Sequence, residues 1–356
     1  MSNYLESLNP TIKEYYSILS SEFPDFLLDY INTPRMMKLD NISVSCGMIY
    51  SKMFKVDFWY STLSHSIAVA LIIWNFTHDK KQTLAGLFHD ISTPVFKHCI
   101  DYMNGDANTQ ESTEDLTEAL ILESDEIISL LMRDNIKVEE VSNYHIYSIA
   151  DNDIPKLSAD RLEYTFINAL GQIKKIWDLE DVREIYKHIT IVENENKELE
   201  MCFDDLNIAE RFTKVMSELS VIYTEDKRRF GMQFLGDIMK RMSNANLISI
   251  SDLYELSEKD VIERIRNCNK FNISNCFKIW QESLDVKISD TLIKDKYCVN
   301  IGAKKRYIDC LVKTSNGINR ISNVSDKAKQ CIKACLDYDF DRYIYMDFNF
   351  DGECND

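Results

Sequence analysis

Glycine and proline are scarce in this chain, which has 9 of the first and 5 of the second among its 356 residues. Because both residues interrupt helices, their scarcity favours long helices and argues against a loop-rich or disordered chain. Apolar residues make up 45% of the sequence and aromatic residues 11%, which is enough for a substantial core. The composition therefore predicts a folded, mainly α-helical protein with one large domain or two ordinary ones.

Long apolar runs and paired cysteines are missing as well. No stretch approaches the roughly 18 uncharged apolar residues that a membrane-spanning helix needs. The first residues, MSNYLESLNPTIKEYY, lack the basic start and the apolar run of a signal peptide. The ten cysteines include no CxxC pair, the spacing typical of a structural zinc site or a redox dithiol. We therefore expect a soluble, cytoplasmic protein with reduced thiols and no membrane partner.

Positive charge is also in short supply. The 41 Lys and Arg residues face 58 Asp and Glu residues, which gives a formal net charge of −17. Binding along a nucleic-acid backbone depends on Lys and Arg side chains that neutralise phosphates. The charge balance therefore argues against extended nucleic-acid binding, and it leaves room for a small anion in a local pocket.

The hydrophobic pattern changes along the chain. Helical spacing dominates up to about Lys294, and strand-like alternation then appears in YCVNIGAKKRYIDCLV and IYMDFNF. We predict a helical core over residues 1–200, a continuing helical region packed on it over 201–293, and a small α/β module over 294–356. Two acidic stretches are interpreted as surface, residues 105–118 as a loop that could cover a site and residues 192–200 as a solvated connection.

Two histidines and two aspartates lie at the boundaries of apolar helices: His65, His89 with Asp90, and Asp160. A charge in apolar surroundings is costly unless it is paired or binds a metal ion. Two imidazoles and two carboxylates suit one divalent ion such as Mn, Fe, Ni, Zn or Mg. Four protein ligands on an octahedral ion leave two positions, for a phosphate oxygen and for a water nucleophile. The alternative is that these are ordinary core residues, since an HD dipeptide also occurs by chance.

The pattern H…HD…D, in STLSHSIAVA, AGLFHDISTPVFKH and SADRLEYT, resembles the HD-domain metal-dependent phosphohydrolases. More narrowly, it is similar to the branch that contains the deoxynucleoside triphosphate triphosphohydrolases. The likeness extends over most of the chain through INTPRMMKLDNISVSCG, SVIYTEDKRRFGMQFLGDIMKRM, ISDLYELSEKDVIERI and AKKRYIDCLV. The resemblance implies an HD-domain helical bundle with a small α/β C-terminal extension, and it is compatible with a homo-oligomer. It also implies one metal ion bound by His65, His89, Asp90 and Asp160, and hydrolysis of a nucleotide, such as a dNTP, or a similar small phosphate ester or anhydride by a metal-activated water.

Four further residues match the family's motif. The resemblance implies that Asp101 and His98 are catalytic and position or deprotonate the attacking water. It likewise implies that Arg161 and Tyr164 bind phosphate oxygens of the substrate, and a cation and a hydroxyl suit such oxygens. Taken by itself, His98 could equally be a packing histidine or a partner that orients a ligand.

Four positions depart from the family's pattern. Thr62 stands in place of an arginine, Ser92 and Thr93 in place of a glycine and a histidine, and Gln110 in place of a histidine expected to donate a proton to the leaving group. General acid catalysis typically contributes about 10² to 10⁴ in rate, so its loss would slow hydrolysis without abolishing it. The departures leave an alternative function, a catalytically weakened HD-domain protein that acts as a nucleotide-binding or regulatory module.

The remaining basic and histidine residues are interpreted as structural. Lys304, Lys305 and Arg306 form a compact basic cluster that is typical of a solvated strand edge more than of an anion site. His78 and His188 lie in charged, exposed stretches.

Overall fold

The computed structural model describes residues 4–110, 112 and 116–350. This part of the chain is mainly helical, which confirms the class predicted from composition, and none of its helices is both long and apolar enough to cross a bilayer. The helices are α1 Tyr4–Ser7, α2 Pro10–Leu19, α3 Asp25–Ile31, α4 Pro34–Lys38, α5 Thr62–Thr77, α6 Lys80–Phe88, α7 Cys99–Asn104, α8 Thr117–Leu122, α9 Asp125–Arg133, α10 Ala159–Ile167, α11 Leu179–Lys187, α12 Leu206–Tyr223, α13 Asp226–Asn244, α14 Ile250–Glu255, α15 Glu258–Arg266, α16 Ile273–Glu282, α17 Ile321–Val324 and α18 Asp326–Leu336. The strands are β1 Ile189–Glu193, β2 Leu199–Phe203, β3 Lys287–Ser289, β4 Tyr297–Val299, β5 Leu311–Thr314, β6 Gly317–Arg320 and β7 Tyr343–Met346.

Helix α5 is the centre of the fold. It begins after Ser61, whose hydroxyl accepts the Ser64 amide hydrogen bond, and every residue from Thr62 to Ile73 is buried. A helix that is apolar on all sides must be covered on all sides, and α2, α6 and α10 pack against it. Any polar side chain between Thr62 and Ile73 is therefore largely cut off from solvent.

Two apolar clusters make up the core. The larger one surrounds α5. The smaller one lies between α7, α13, α15 and α16 and is rich in aromatic rings, which include Phe230, Phe234, Trp280, Tyr297 and Phe348. The helices that carry His65, His89 and Asp160 belong to the first cluster, and α7, with Asp101, belongs to the second.

Two glycines let the helices near the predicted site approach each other closely. A Cβ on Gly86 of α6 would lie 2.2 Å from Ile73 Cδ1 of α5. A Cβ on Gly236 of α13 would lie 2.8 Å from the carbonyl oxygen of Cys99, the first residue of α7. Both distances are far shorter than non-bonded atoms tolerate. A side chain at either position would therefore push α6 away from α5, or α7 away from α13.

Two small sheets contain the strands. The first has the order β1-β2-β5-β6, with β2 and β5 parallel and Cys202 opposite Leu311, while the second has the antiparallel order β3-β7-β4. The strand-like alternation from Tyr297 to Val312 thus proves to be two short strands in different sheets, joined by the irregular residues 300–310. The division at residues 200 and 293 stays a prediction, and strand pairing crosses both of these positions.

The acidic stretch 192–200 forms the ends of β1 and β2 and the turn between them, and six of its nine residues are exposed, as the prediction of a solvated connection requires, whereas Asn194 and Glu200 are buried. Glu200 in β2 is fully buried and pairs with Arg320 of β6, with Nη2 at 2.7 Å from Oε2. Asn194 donates a further hydrogen bond to Glu200 at 3.0 Å, and Glu195 pairs with Arg320 at 2.8 Å. Arg320 therefore links the C-terminal strands to the hairpin through a buried charge.

Replacing Arg320 by leucine should lower the free energy of unfolding by about 3 to 5 kcal/mol, because Glu200 would remain charged in the interior without its cation. Urea unfolding at pH 7 measures this loss. The matched control is Arg183→Leu, since Arg183 pairs with Glu14 and Glu180 at the surface, and it should cost less than about 1 kcal/mol. Adding Glu200→Gln to Arg320→Leu should recover part of the loss. An Arg320→Leu protein as stable as the control would contradict the structural role given to this pair.

A second buried carboxylate, Glu258, attaches α15 to the segment that precedes α5. It is the first residue of α15, it is fully buried, and its Oε1 accepts a hydrogen bond from the Ser43 amide at 3.2 Å. Burial raises the pKa of Glu258 to about 8, although the Tyr50 hydroxyl, the Ser43 amide, Lys97 and Lys38 act to lower it. Glu258 is therefore mostly protonated in the folded protein at neutral pH.

The buried carboxyl should make the protein less stable as the pH rises from 5 to 7. In this window the folded chain keeps a proton that an exposed glutamate, with a pKa of 4.5, has lost, so the free energy of unfolding falls by up to about 1.4 kcal/mol per pH unit. Glu258→Gln removes the titration and should flatten this dependence, whereas Glu263→Gln, an exposed position on the same helix, should not. Urea unfolding at pH 5, 6 and 7 makes the comparison. Parallel curves for wild type and Glu258→Gln would refute the assigned pKa.

Candidate metal centre

The four predicted ligand side chains come together where α5, α6 and α10 meet. His65 lies near the start of α5, His89 and Asp90 follow α6, and Asp160 lies in the first turn of α10. His65 Nε2 is 3.1 Å from His89 Nε2 and 3.1 Å from Asp160 Oδ1, and His89 Nε2 is 3.8 Å from Asp160 Oδ1. Asp90 Oδ2 lies 3.9 Å from His65 Nε2 and 3.8 Å from His89 Nε2.

These separations fit a metal ion. Two donor atoms that each bind a metal at about 2.1 Å lie roughly 3 to 4 Å from one another. His65, His89 and Asp160 each offer one such atom, and the three atoms lie within 4.8 Å of one another. Imidazole nitrogen combined with carboxylate oxygen is a donor set that divalent transition metals accept. This cluster can therefore bind a metal ion.

Both imidazoles are oriented by contacts on their far side. His89 Nδ1 lies 2.7 Å from the Gly86 carbonyl oxygen, and His65 Nδ1 contacts Oε2 of the fully buried Glu163. A carbonyl or carboxylate acceptor keeps the proton on Nδ1 and leaves Nε2 free for a metal. The resulting chain of carboxylate, imidazole and ligand position is the arrangement that supports metal-binding histidines in general.

Glu163 is a functional residue that the sequence analysis did not identify. Its Oε1 accepts hydrogen bonds from the Tyr60 hydroxyl at 2.6 Å and the Tyr15 hydroxyl at 3.3 Å. Burial lowers the pKa of His65, but Glu163 and Asp160 outweigh it and raise that pKa to about 10. The spacing of Asp160 and Glu163, three residues apart on one helix, was the available signal, since such residues share a helix face.

A lysine lies against the fourth predicted ligand. Lys97 Nζ is 2.6 Å from Asp90 Oδ2. Burial raises the pKa of the Asp90 carboxyl, but Lys97, His89 and His65 outweigh it and hold that pKa well below its usual range. Lys97 and Phe96 both have left-handed backbones, with φ of 46° and 65°. Non-glycine residues adopt this conformation at a cost in free energy. In this conformation the Lys97 side chain contacts Asp90.

The two predicted catalytic residues, His98 and Asp101, form a pair. His98 Nδ1 is 2.9 Å from Asp101 Oδ2, and the buried Asp101 also accepts a hydrogen bond from the Ser112 hydroxyl at 2.7 Å. On its other side, His98 Nε2 is 3.3 Å from Arg306 Nη2, which donates to Gln110 Oε1 at 2.7 Å. Burial and the Arg306 charge lower the pKa of His98, although Asp101 acts to raise it.

The sequence predicted that Arg306 lies on a solvated strand edge, and the structure shows that it does not. It lies in the irregular residues 300–310, is only partly exposed, and points to His98. The strand pattern failed here because Arg306 contacts residues about 200 positions earlier in the chain. No local pattern contains that information.

The two predicted phosphate-binding residues have different surroundings. Arg161 is buried, donates to Asn152 Oδ1 at 2.6 Å and pairs with Asp151 at 3.2 Å, so its guanidinium contacts the loop that precedes α10. Tyr164 lies one turn after Asp160 and packs edge-on against Tyr223, with ring centroids 6.4 Å apart. Burial raises the pKa of Tyr164 to about 12, although the Arg306 charge acts to lower it. The phosphate-binding role of both residues stays a prediction.

All four positions that depart from the family's pattern are buried. Thr62 and Thr93 are buried, the Thr93 carbonyl accepts a hydrogen bond from Lys38 at 2.9 Å, and Ser92 lies 3.3 Å from the Thr117 hydroxyl. The acidic loop predicted over residues 105–118 lies partly outside the described residues, at 111 and 113–115.

Replacing Glu163 by glutamine should weaken metal binding about 10- to 100-fold, because a neutral amide supports the His65 imidazole less well than a carboxylate. The measurement is the dissociation constant for Mn²⁺ or Zn²⁺ by competition with a chelating dye. Tyr60→Phe, which removes one hydrogen bond to Glu163, should weaken binding less. The control is Glu193→Gln, an exposed position, and equal affinities for it and for Glu163→Gln would contradict the role given to Glu163.

Sequence comparison gives one informative relative. No protein-family model matches this chain. The uncharacterized protein YdhJ of Bacillus subtilis is 26% identical to it over 199 residues, which is 55% of this chain. The match spans 58% of the length of YdhJ.

Structural comparison shows the fold. A hypothetical protein from Aquifex aeolicus superposes with a TM-score of 0.63 and 16% identity, and the match covers 91% of this chain and 93% of the other. A phosphohydrolase from Bacteroides thetaiotaomicron superposes with a TM-score of 0.59 and 13% identity, covering 92% of this chain and 97% of the other. Over nearly its whole length, the chain thus shares its fold with a solved phosphohydrolase.

Proposed function

We propose that this chain is a metal-dependent phosphohydrolase of the HD-domain superfamily. His65, His89, Asp90 and Asp160 would bind one divalent metal ion, and the substrate would be a nucleotide, such as a dNTP, or a similar small phosphate ester or anhydride. The observation that carries the proposal is the convergence of His65 Nε2, His89 Nε2 and Asp160 Oδ1 within 4.8 Å. The shared fold with a phosphohydrolase supports it.

The donor atoms decide which ions suit the centre. Two imidazole nitrogens favour Mn, Fe, Ni or Zn, while Mg would rely more on carboxylate and phosphate oxygens. A bound divalent ion would supply Lewis acidity and lower the pKa of a water nucleophile. The chain itself contributes rigidity, because His65 and Asp160 are on packed helices rather than on loops.

His98 and Asp101 would position water and accept its proton. Asp101 Oδ2 fixes His98 through Nδ1 at 2.9 Å, and burial and the Arg306 charge lower the pKa of His98. Asp101 is held in turn by the Ser112 hydroxyl. Tyr164, one turn after Asp160, would donate its hydroxyl to a phosphate oxygen.

The second candidate is a weakened HD-domain protein that binds a nucleotide without turning it over. The observation that favours it is Gln110, whose amide accepts a hydrogen bond from Arg306 and donates one to the Ala107 carbonyl at 3.3 Å. An amide cannot protonate a leaving group, so this position lacks the acid that the resemblance would place there. Self-association and the absence of extended nucleic-acid binding remain predictions from sequence.

Phosphate and nucleoside release from a panel of dNTPs, NTPs, monophosphates and cyclic nucleotides, with Mn, Mg, Fe, Ni or Zn, tests the proposal. Asp160→Asn should lower any turnover by about 100-fold or more, because it removes a metal ligand. The matched control is Asp153→Asn, an exposed position in the loop before α10, which should leave turnover unchanged.

The other results separate the alternatives. Stoichiometric metal with nucleotide-dependent thermal stabilisation and no turnover would favour the binding protein. A purified chain that binds none of these metals would refute both functions.

A further inference from the structure

Two arginines lack acidic partners in the described part of the chain. Neither Arg306 nor Arg228 forms an ion pair with a carboxylate among the described residues, although acidic residues outnumber basic ones by 58 to 41 in this chain. Arg228 Nε is buried without a hydrogen-bond partner in that part of the chain, and its guanidinium lies 5.1 Å from the Phe54 ring centroid. Both side chains are partly buried, and partly buried cations are ordinarily paired, so these two point to an anion from outside the chain.

The donors of Arg306 are largely free, whereas those of Arg161 are not. Both hydrogen bonds of Arg306, to Gln110 and His98, use Nη2, so no described residue occupies Nε or Nη1. Arg161, by contrast, uses Nη1 for Asn152 and Ser158 and Nη2 for the Asn152 carbonyl. A guanidinium binds a phosphate best through two parallel N–H donors, and Arg306 has them available.

A short path through neighbouring residues links Arg306 to the predicted metal ligands. His98, which contacts Arg306, follows Lys97, and Lys97 contacts Asp90 at 2.6 Å. Tyr164 follows Asp160 by one helical turn, no described residue hydrogen-bonds to its hydroxyl, and the Arg306 charge acts to lower its pKa. The Arg306 and Arg228 charges both act to lower the pKa of Tyr223, which packs against Tyr164. Both arginines therefore lie near the Tyr164–Tyr223 pair, in which the Tyr223 hydroxyl already accepts a hydrogen bond from Asn168 at 2.9 Å.

We propose that Arg306 and Arg228, with the Tyr164 hydroxyl, bind a phosphoryl group of the substrate, so that residues 300–310 of the C-terminal part complete the active site. This inference rests on the proposed function for the identity of the anion as a phosphoryl group. In this proposal Arg306 has the phosphate-binding role that the sequence resemblance implies for Arg161. Gln110 is then a positioning residue, because its side-chain oxygen holds Nη2 and directs the remaining donors of Arg306.

The test is calorimetric binding of inorganic phosphate and of pyrophosphate to the full-length, Mn-loaded protein. Arg306→Gln and Arg228→Gln should each raise the dissociation constant about 10- to 100-fold, because each removes a charge-assisted hydrogen bond. Arg306→Lys should recover only part of the affinity, since lysine keeps the charge without the planar fork. The matched control is Lys304→Gln, which removes the same charge two residues away and should change affinity less than about 2-fold.

Metal content and thermal unfolding of each variant separate this inference from the proposed function. Full metal content with phosphate binding lost only in the arginine variants supports the subsite, even if no panel substrate is hydrolysed. Wild-type protein that binds neither anion at millimolar concentration overturns it, as do arginine variants that bind like Lys304→Gln. If Arg306→Gln unfolds at the purification temperature, Arg228→Gln and Gln110→Ala decide the question by the same comparison.

Discussion

The buried contact between His65 and Glu163 is the interaction on which the site depends. Because α5 is covered on all sides around His65, water cannot satisfy the Nδ1 of its ring. Glu163 takes Nδ1, and the other nitrogen then faces His89 and Asp160. The Tyr60 hydroxyl satisfies the carboxylate in turn, so no polar atom of this group is left to oppose the packing. The packing of the core around α5 therefore also fixes the orientation of the His65 imidazole.

A second constraint attaches the C-terminal part of the chain to this core. Arg229 is fully buried and donates to the carbonyls of Ile301 and Phe340, and Arg320 pairs with the buried Glu200. The irregular residues 300–310 run between these two anchors. Because both anchors are buried and charged, this segment is held in one position without belonging to a strand, and Arg306 is presented to His98 from it.

The comparison of two arginines shows what a sequence can and cannot reveal. Arg161 follows a metal-ligand motif, so its sequence neighbours suggested a contact with phosphate. In the folded chain, Asn152 and Asp151 take its donors, because the loop before α10 folds back on the helix. Arg306 has no informative neighbours in sequence, since Gln110 and His98 are brought to it by the fold. Lys97 and Glu163 were missed because their contacts also depend on the fold. For Glu163, its spacing of three residues from Asp160 was a local signal in the sequence.

The sequence by itself determined the helical class and predicted the histidines and aspartates that the fold then brings together. Scarce glycine and proline, and histidine and aspartate at the ends of apolar segments, are local properties, and helix formation and ligand chemistry depend on local properties. Tertiary structure alone decided which nitrogen of His65 faces the centre, which arginine has free donors and which glutamate of an acidic stretch is buried. Those outcomes depend on pairs of residues far apart in the chain, such as Arg320 with Glu200, and the energy of a buried charge is set by its partner rather than by its own neighbours.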